Sequence, residues 1–216
     1  QFLLRWGHEM NLGDYSWSGY CNGGNIEATQ KFIAAYRRIV DIFRGTGAMN
    51  VRWVWSPSFD SWPADSWNAI ENYYPGDDYV DWIGVVGYNF GQSRVWSGYH
   101  WDTFDDLFRI FLEDAQQLHP NKPVMLADYA TAENDGGDKA AWITDAFTEM
   151  KRYPNLKAAV IFTKPTRVLT TPSSASKGPC MHQKHPPAKV ATASESPEME
   201  LTSMESMPAP VKVFFV

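Results

Sequence analysis

The stretch Phe2-Leu3-Leu4-Arg5-Trp6-Gly7-His8-Glu9 is an apolar run that ends in polar, titratable side chains. Residues 2–6 predict a short buried strand, which we expect to continue to Glu9. Residues 10–24 are polar, aromatic and rich in glycine, which predicts a long loop. A carboxyl group at this junction is shielded from water on one side and faces a cleft on the other. Such burial raises the pKa of a carboxyl group and makes it usable as a general acid.

Two other interpretations of Glu9 come from its immediate surroundings. His8-Glu9 begins like the H-E-x-x-H helix of zinc proteases, but Leu12 stands where the second His would fall. No other His or Cys residues have metal-ligand spacing, so we predict no metal and no cofactor. The remaining alternative is an acid that caps the following segment, and the rest of the chain decides between this role and catalysis.

Composition restricts the class of protein. The 216 residues suffice for one domain with a core, and 15% of them are aromatic, including 10 Trp. A net charge of −6 argues against a nucleic-acid partner. No apolar run is long enough to span a membrane, so we expect no membrane partner.

Up to residue 162 the sequence alternates between apolar strands and amphipathic helices. The predicted strands are residues 2–9, 50–56, 82–88, 123–128 and 157–162. The predicted helices follow the capping residues Asn25, Thr103 and Asp138 and end near Gly45, Leu118 and Tyr153. Segments after strands are long and aromatic, and segments after helices are short, which is typical of an α/β (β/α)8 barrel with its site at the carboxyl ends of the strands. An open doubly wound sheet is the alternative, but neither G-x-G-x-x-G nor a P-loop supports it.

The composition changes after Phe162. All 10 Trp and all 10 Tyr precede this point. Residues 163–216 are rich in Ser, Thr, Pro, Lys and Met and have no sustained period, which predicts a disordered or loosely attached tail. A natural linker and a frameshifted segment both fit this composition, and the family resemblance described next favours a frameshift near residue 163.

Several motifs in a fixed order resemble glycoside hydrolase family 26. They are R-W-G-H-E-M-N at 5–11, W-V-W-S-P at 53–57, Y-Y-P-G-D-D-Y-V-D-W-I-G at 73–84 with G-Y-N at 87–89, K-P-V-M-L-A at 122–127 and G-G-D-K-A-A-W at 136–142. The resemblance covers residues 1 to about 162 and implies a (β/α)8 barrel that cleaves β-mannans or mixed-linkage β-glucans with retention of configuration. Members have an aromatic-rich eighth strand and a Trp-containing closing segment, and this chain departs from that pattern at residue 163.

The resemblance implies a pair of catalytic carboxylates. Glu9 matches the acid/base at the end of barrel strand four, and Asp128 lies at the nucleophile position at the end of strand seven. The five predicted strands then correspond to barrel strands four to eight, and we expect strands one to three to be missing from this chain. A retaining glycosidase holds its two carboxyl groups about 5–5.5 Å apart. The family has Glu at the nucleophile position, so Asp128 is shorter by roughly 1–1.5 Å, and a misplacement of about 1 Å can lower the rate about 100-fold.

Strand alternation predicts which side chains share a face. It places Arg5 with Glu9, and Leu126 with Asp128. The same rule places Tyr88 on the face of the other even-numbered residues of its strand. By resemblance, Tyr88 orients the nucleophile and His8 lies beside the acid/base and the sugar. The alternatives are a half-buried Tyr at a strand end and a histidine satisfied in the core.

Aromatic and amide side chains near the strand ends are candidate sugar ligands, because pyranose rings stack on aromatic faces. We predict substrate contacts by Asn11, Tyr15, Trp17 and Trp55, although Asn11 could equally cap the loop. Further candidates are Trp62, Trp67 and Trp96.

The predicted protein is a secreted, monomeric glycoside hydrolase that acts within β-1,4-mannan-type polysaccharides by double displacement. A mixed-linkage β-glucan is the alternative substrate. A damaged enzyme that only binds carbohydrate is the alternative function, and Asp128, the missing strands and the unusual tail motivate it.

Overall fold

The computed structural model describes residues 1–92, 100–133 and 135–162, together with the backbone of two short strands in the tail. The strands are β1 Phe2–Arg5, β2 Val51–Trp55, β3 Trp82–Asn89, β4 Val124–Thr131, β5 Leu156–Ile161, β6 Leu201–Thr202 and β7 Lys212–Phe215. The helices are α1 Ile26–Gly45, α2 Phe104–Leu118 and α3 Lys139–Met150.

The strands form one sheet in the order β6-β5-β4-β3-β2-β1-β7. Strands β1 to β5 are parallel, and each pairs with the next one along the chain. An open doubly wound sheet reverses its strand order at a switch point, whereas this order is sequential, as in a barrel. The sheet is therefore a partial (β/α)8 barrel, as the sequence predicted, and the doubly wound alternative was wrong.

The two faces of the sheet bury different side chains. The helix-side face packs large residues, including Phe32, Tyr36 and Phe108, in one extensive cluster. The opposite face buries smaller residues: Leu3, Val54, Val86, Met125, Ala127, Ala158 and Val160. A curled sheet leaves less room on its concave side, so this division identifies the interior of the partial barrel.

The predicted helix caps are confirmed. Asn25 Oδ1 and Asp138 Oδ1 accept backbone N–H groups at the starts of α1 and α3. Thr103 and Asp106 form a reciprocal capping box at the start of α2. Each cap satisfies N–H groups that have no partner within the helix, which fixes where the helix begins.

Several boundaries differ from the prediction, and β4 runs on to Thr131 instead of ending at Asp128. Strand β1 ends at Arg5 rather than Glu9, because the chain turns at Gly7, whose φ is 65°. Helix α3 ends at Met150 instead of continuing to Tyr153. The predicted loop 57–81 contains two short 3₁₀ helices, Ser66–Asn68 and Ile70–Tyr73.

The predicted tail falls mostly outside the described residues, as does Trp96. Within the tail, β7 pairs parallel to β1, and β6 pairs antiparallel to β5. In the described part of the chain, no helix combines the length and apolar character required to cross a membrane.

Candidate active site

Residues at or near the carboxyl ends of four strands meet at the mouth of the partial barrel. Arg5 ends β1, Tyr88 lies near the end of β3, and Asp128 lies within β4. Glu9 follows β1, and its backbone N–H donates to the carbonyl of Ser56, just after β2, at 2.9 Å. The fold thus brings residues from widely separated parts of the sequence to one edge of the sheet.

Glu9 occupies a strained corner rather than a strand. Its φ is +52°, and within the described chain it is the one non-glycine residue with a positive φ. A residue in this left-handed region costs roughly 1–3 kcal/mol, and such residues cluster at functional sites. The corner, not strand alternation, turns Glu9 into the mouth, so the predicted reason for its orientation was wrong.

The surroundings of the Glu9 carboxyl group favour its neutral form. Burial raises the pKa of Glu9, and the Asp128 and Asp14 carboxylates add to this effect. The Tyr15 hydroxyl, which donates to Glu9 Oε2 at 2.8 Å, and the Arg5 charge lower the pKa but do not cancel the effect of burial. A carboxyl group with a raised pKa suits proton donation near neutral pH.

A β-bulge directs Asp128 into the mouth. Val85 pairs with Leu126, but Val86 pairs with Asp128, so Ala127 is an extra residue in β4. Leu126 consequently packs on the helix side, whereas Ala127 lies in the interior cluster. The prediction that Leu126 and Asp128 share a face was wrong because a bulge shifts the alternation by one residue.

Asp128 forms a buried ion pair with Arg5. Arg5 Nη2 donates to Asp128 Oδ2 at 2.8 Å, and the two side chains are 4% and 10% exposed. Burial raises the pKa of Asp128, and the guanidinium opposes this shift. Among the described residues, Oδ1 has no hydrogen-bond partner. One oxygen is therefore fixed by Arg5, and the other is buried without a hydrogen-bond partner among the described residues.

Tyr88 and His8 border this pair of carboxyl groups. Burial and the Asp128 and Glu9 charges raise the pKa of Tyr88, so its hydroxyl remains a proton donor. Burial and the Arg5 charge lower the pKa of His8 to about 4, so its imidazole is neutral at pH 7.

Three aromatic rings form a wall beside Glu9. Tyr15 and Trp17 stack with 4.7 Å between ring centroids and 10° between planes. The His8 ring lies 4.7 Å from Tyr15, and Trp17 Nε1 donates to the His8 carbonyl at 2.8 Å. All three side chains are half-buried, so the wall retains an accessible surface.

Two predicted substrate ligands lie elsewhere. Asn11 is 0% exposed, and its amide bonds to Ser58, Asp60 and Ser61. Of the two roles predicted for Asn11, the structure favours the loop-fixing one. Trp55 is 3% exposed and packs in the helix-side cluster, so it faces away from the mouth.

Trp55 instead lines a cavity of about 840 Å³ between loop 57–81 and α2. Neither Glu9 nor Asp128 contributes to this cavity. Its volume would suit a ligand, but without these two carboxyl groups we do not place the active site there.

The sequence did not reveal that Asn68, like Asn11, holds the loops around the mouth in place. Asn68 donates to the carbonyls of Asn11 and Pro63 and accepts from Tyr73. It lies in a segment without strand or helix periodicity, where only the tertiary contacts reveal its role.

The barrel architecture, with two carboxyl groups and an aromatic wall at its mouth, is that of a glycoside hydrolase. A family model described as glycosyl hydrolase family 26 matches residues 2–120, and the chain belongs to this family. Glu9 and Tyr88 lie inside the matched residues, and Asp128 lies beyond them.

The chain is also similar to individual known proteins. Endoglucanase H of Acetivibrio thermocellus is 40% identical over 164 residues, which is 75% of this chain and 17% of that protein. A Bacillus subtilis mannanase superposes with a TM-score of 0.52 at 22% identity, covering 75% of this chain and 42% of the mannanase. An exo-β-1,3-glucanase from Aureobasidium namibiae gives 0.50 at 16% identity, covering 78% and 57%. The two structural matches show the shared fold, and this chain spans only part of each relative.

Proposed function

We propose that this chain carries the catalytic pair of a glycoside hydrolase that cleaves within β-1,4-mannan-type polysaccharides by double displacement. The observation that carries the proposal is the convergence of Glu9 and Asp128 on one mouth, each influenced by the charge of its neighbours. A retaining glycosidase requires one carboxylic acid and one carboxylate that flank the scissile bond.

The two carboxyl groups take different roles. Glu9, whose pKa is raised, donates its proton to the leaving glycosidic oxygen. The Asp128 oxygen that Arg5 does not bind attacks the anomeric carbon and forms a glycosyl ester as the leaving oxygen departs with the Glu9 proton, while Arg5 holds the other oxygen. Glu9 then removes a proton from the water that hydrolyses this ester, which regenerates both groups.

The neighbouring side chains support this assignment. Tyr88 can donate its hydroxyl proton towards the Asp128 side of the cleft, because its pKa is raised. Tyr15 and Trp17 supply an aromatic wall for a pyranose ring next to Glu9. Neutral His8 can exchange hydrogen bonds with sugar hydroxyls without adding charge.

The names of relatives guide the choice of substrate. One structural match is called a mannanase, and the 40% identical relative is called an endoglucanase. We therefore propose β-mannan first and a mixed-linkage β-glucan second. We also expect a secreted monomer that needs neither a cofactor nor a metal and binds neither nucleic acid nor membranes.

A second candidate function is carbohydrate binding without catalysis. The specific observation behind it is Asp128, which is one methylene shorter than Glu and tied to Arg5 at 2.8 Å. A carboxylate held back in this way would bind sugar hydroxyls without reaching the anomeric carbon.

The test is release of reducing ends from β-1,4-mannan and from mixed-linkage β-glucan by the wild-type chain and by Glu9→Gln. Loss of a general acid typically lowers the rate about 10²–10⁴-fold. Glu113→Gln, an exposed substitution on α2, is the matched control and should retain activity. Equal hydrolysis by Glu9→Gln would refute the acid role, and glycan binding without any hydrolysis would support the binding candidate.

A further inference from the structure

Trp62 differs from the other described tryptophans because it alone is exposed. Its side chain is 55% accessible, whereas the remaining ones in the described ranges are buried or half-buried. A single exposed apolar side chain is ordinary on a protein surface. The contacts that fix Trp62 make this residue different.

The backbone of Trp62 is tied to the loop that carries Glu9. Its N–H donates to the carbonyl of Asn11 at 2.9 Å, two residues beyond Glu9. Asn68 donates to that same carbonyl at 2.9 Å and to the carbonyl of Pro63 at 2.8 Å. The position of Trp62 relative to the acid is therefore set by hydrogen bonds on both sides of the residue.

The indole ring is positioned as firmly as its backbone. A Cβ atom on Gly13 would lie 2.7 Å from Trp62 Cζ3, so the ring rests where only a glycine fits. The Tyr20 ring lies 5.4 Å away at an angle of 54° and supports the indole from the side. The ring keeps an accessible surface without the freedom of an ordinary surface side chain, so ordering it on binding costs little entropy.

The position of Trp62 indicates which end of a polysaccharide would reach it. Asp128 lies in β4, and Glu9 and Trp62 lie on loops that follow β1 and β2. The proposed acid stands beside the leaving group, because it protonates the oxygen that departs. The Trp62 ring rests on Gly13 and Tyr20 of the Glu9 loop, so the sugars on the Glu9 side of the cleft, which are the leaving-group sugars, are the ones within its reach.

We propose that Trp62 is a sugar-stacking platform that binds the leaving-group end of a β-linked polysaccharide, beyond the wall formed by Tyr15 and Trp17. The inference rests on the proposed hydrolase function and adds a determinant of substrate length to it. The platform favours long chains, because short substrates end before they reach it.

The test compares a long and a short substrate in the full chain. For Trp62→Ala, we expect kcat/KM on β-1,4-mannohexaose to fall about 3- to 10-fold. On an aryl β-mannobioside, whose leaving group is the aryl ring, the loss should be much smaller. Trp62→Phe, which keeps an aromatic face, should restore part of the activity on the hexaose.

The controls separate stacking from structural support. Ile110→Ala removes a side chain that is 65% exposed on α2, and it should change neither substrate's kcat/KM. An equal loss on both substrates in Trp62→Ala would assign Trp62 to holding the loop, and no loss on either would remove it from binding. Each of these results overturns the proposal.

A binding measurement distinguishes failure of this proposal from failure of the hydrolase function. If the wild-type chain hydrolyses neither substrate, calorimetric titration with mannohexaose still compares it with Trp62→Ala. Weaker binding by Trp62→Ala would keep the platform while the hydrolase function fails. Equal binding by both proteins would overturn the platform.

Discussion

Glu9 and Asp128 bring the same functional group to the same mouth, but the molecule holds them by different means. Glu9 sits at a left-handed corner of a loop, and its carboxyl group accepts one hydrogen bond from a neutral hydroxyl. Asp128 sits at a bulge within a central strand, and a buried guanidinium binds its carboxylate. A proton donor must lose and regain its proton, whereas a nucleophile must remain charged and aimed. The two supports match these two requirements.

The largest expected effect comes from removing the ion pair that distinguishes Asp128. Arg5→Leu leaves a buried carboxylate without its charged partner, which destabilises a protein by roughly 3–5 kcal/mol. Urea denaturation followed by circular dichroism measures the free energy of unfolding. Arg109→Leu removes an exposed pair with Glu113 and should cost less than about 1 kcal/mol. Similar values for the two variants would show that the buried pair does not stabilise the fold.

The second effect concerns the reach of the nucleophile. Asp128→Glu adds a methylene and advances the carboxylate towards the anomeric carbon, so kcat on β-mannan should rise about 100-fold. Reducing-end assays at saturating substrate measure the change. Asp145→Glu, on the exposed side of α3, provides the same substitution away from the site. Unchanged kcat in Asp128→Glu would mean that reach does not limit the reaction.

The third effect tests the support of the Glu9 loop. Asn11→Ala leaves the buried N–H and C=O groups of Ser58 without their side-chain partners, which costs about 1–3 kcal/mol. Asn22→Ala is the matched control, because this exposed amide also bonds to two carbonyls. Thermal and urea unfolding should separate the two variants, and equal stability would contradict the loop-fixing role of Asn11.

The smallest expected effect is a change in the pKa of Glu9. The Tyr15 hydroxyl stabilises the carboxylate form and lowers its pKa, so Tyr15→Phe should raise the pKa of Glu9 further. Glu9 must be protonated to act as the acid, and the alkaline limb of the kcat/KM profile reports its pKa in the free enzyme. That limb should move to higher pH in Tyr15→Phe and stay in place in Tyr20→Phe. A shift to lower pH would contradict the proposed assignment of the limb.

Local signals in the sequence predicted most of the architecture. Asn25, Thr103 and Asp138 were identified as helix caps because their side chains satisfy nearby backbone groups, and the structure confirms all three. The orientation of the site residues was harder to predict. Residues 123–129 are almost uniformly apolar, so no period indicates a bulge, and the alternation rule wrongly placed Leu126 on the face of Asp128.

The sequence by itself determined the succession of strands and helices and the family, and it indicated two carboxyl groups near the carboxyl ends of the strands. These depend on local chemistry and on the order of motifs, which a linear chain displays directly. The tertiary structure decided how the carboxyl groups are aimed and held. The Glu9–Ser56 hydrogen bond at the left-handed corner, the pairing of Arg5 with Asp128 and the Asn11 contacts to Trp62 and Asn68 all join residues distant in sequence. Such contacts arise only when the parallel strands bring their carboxyl ends to one edge of the sheet.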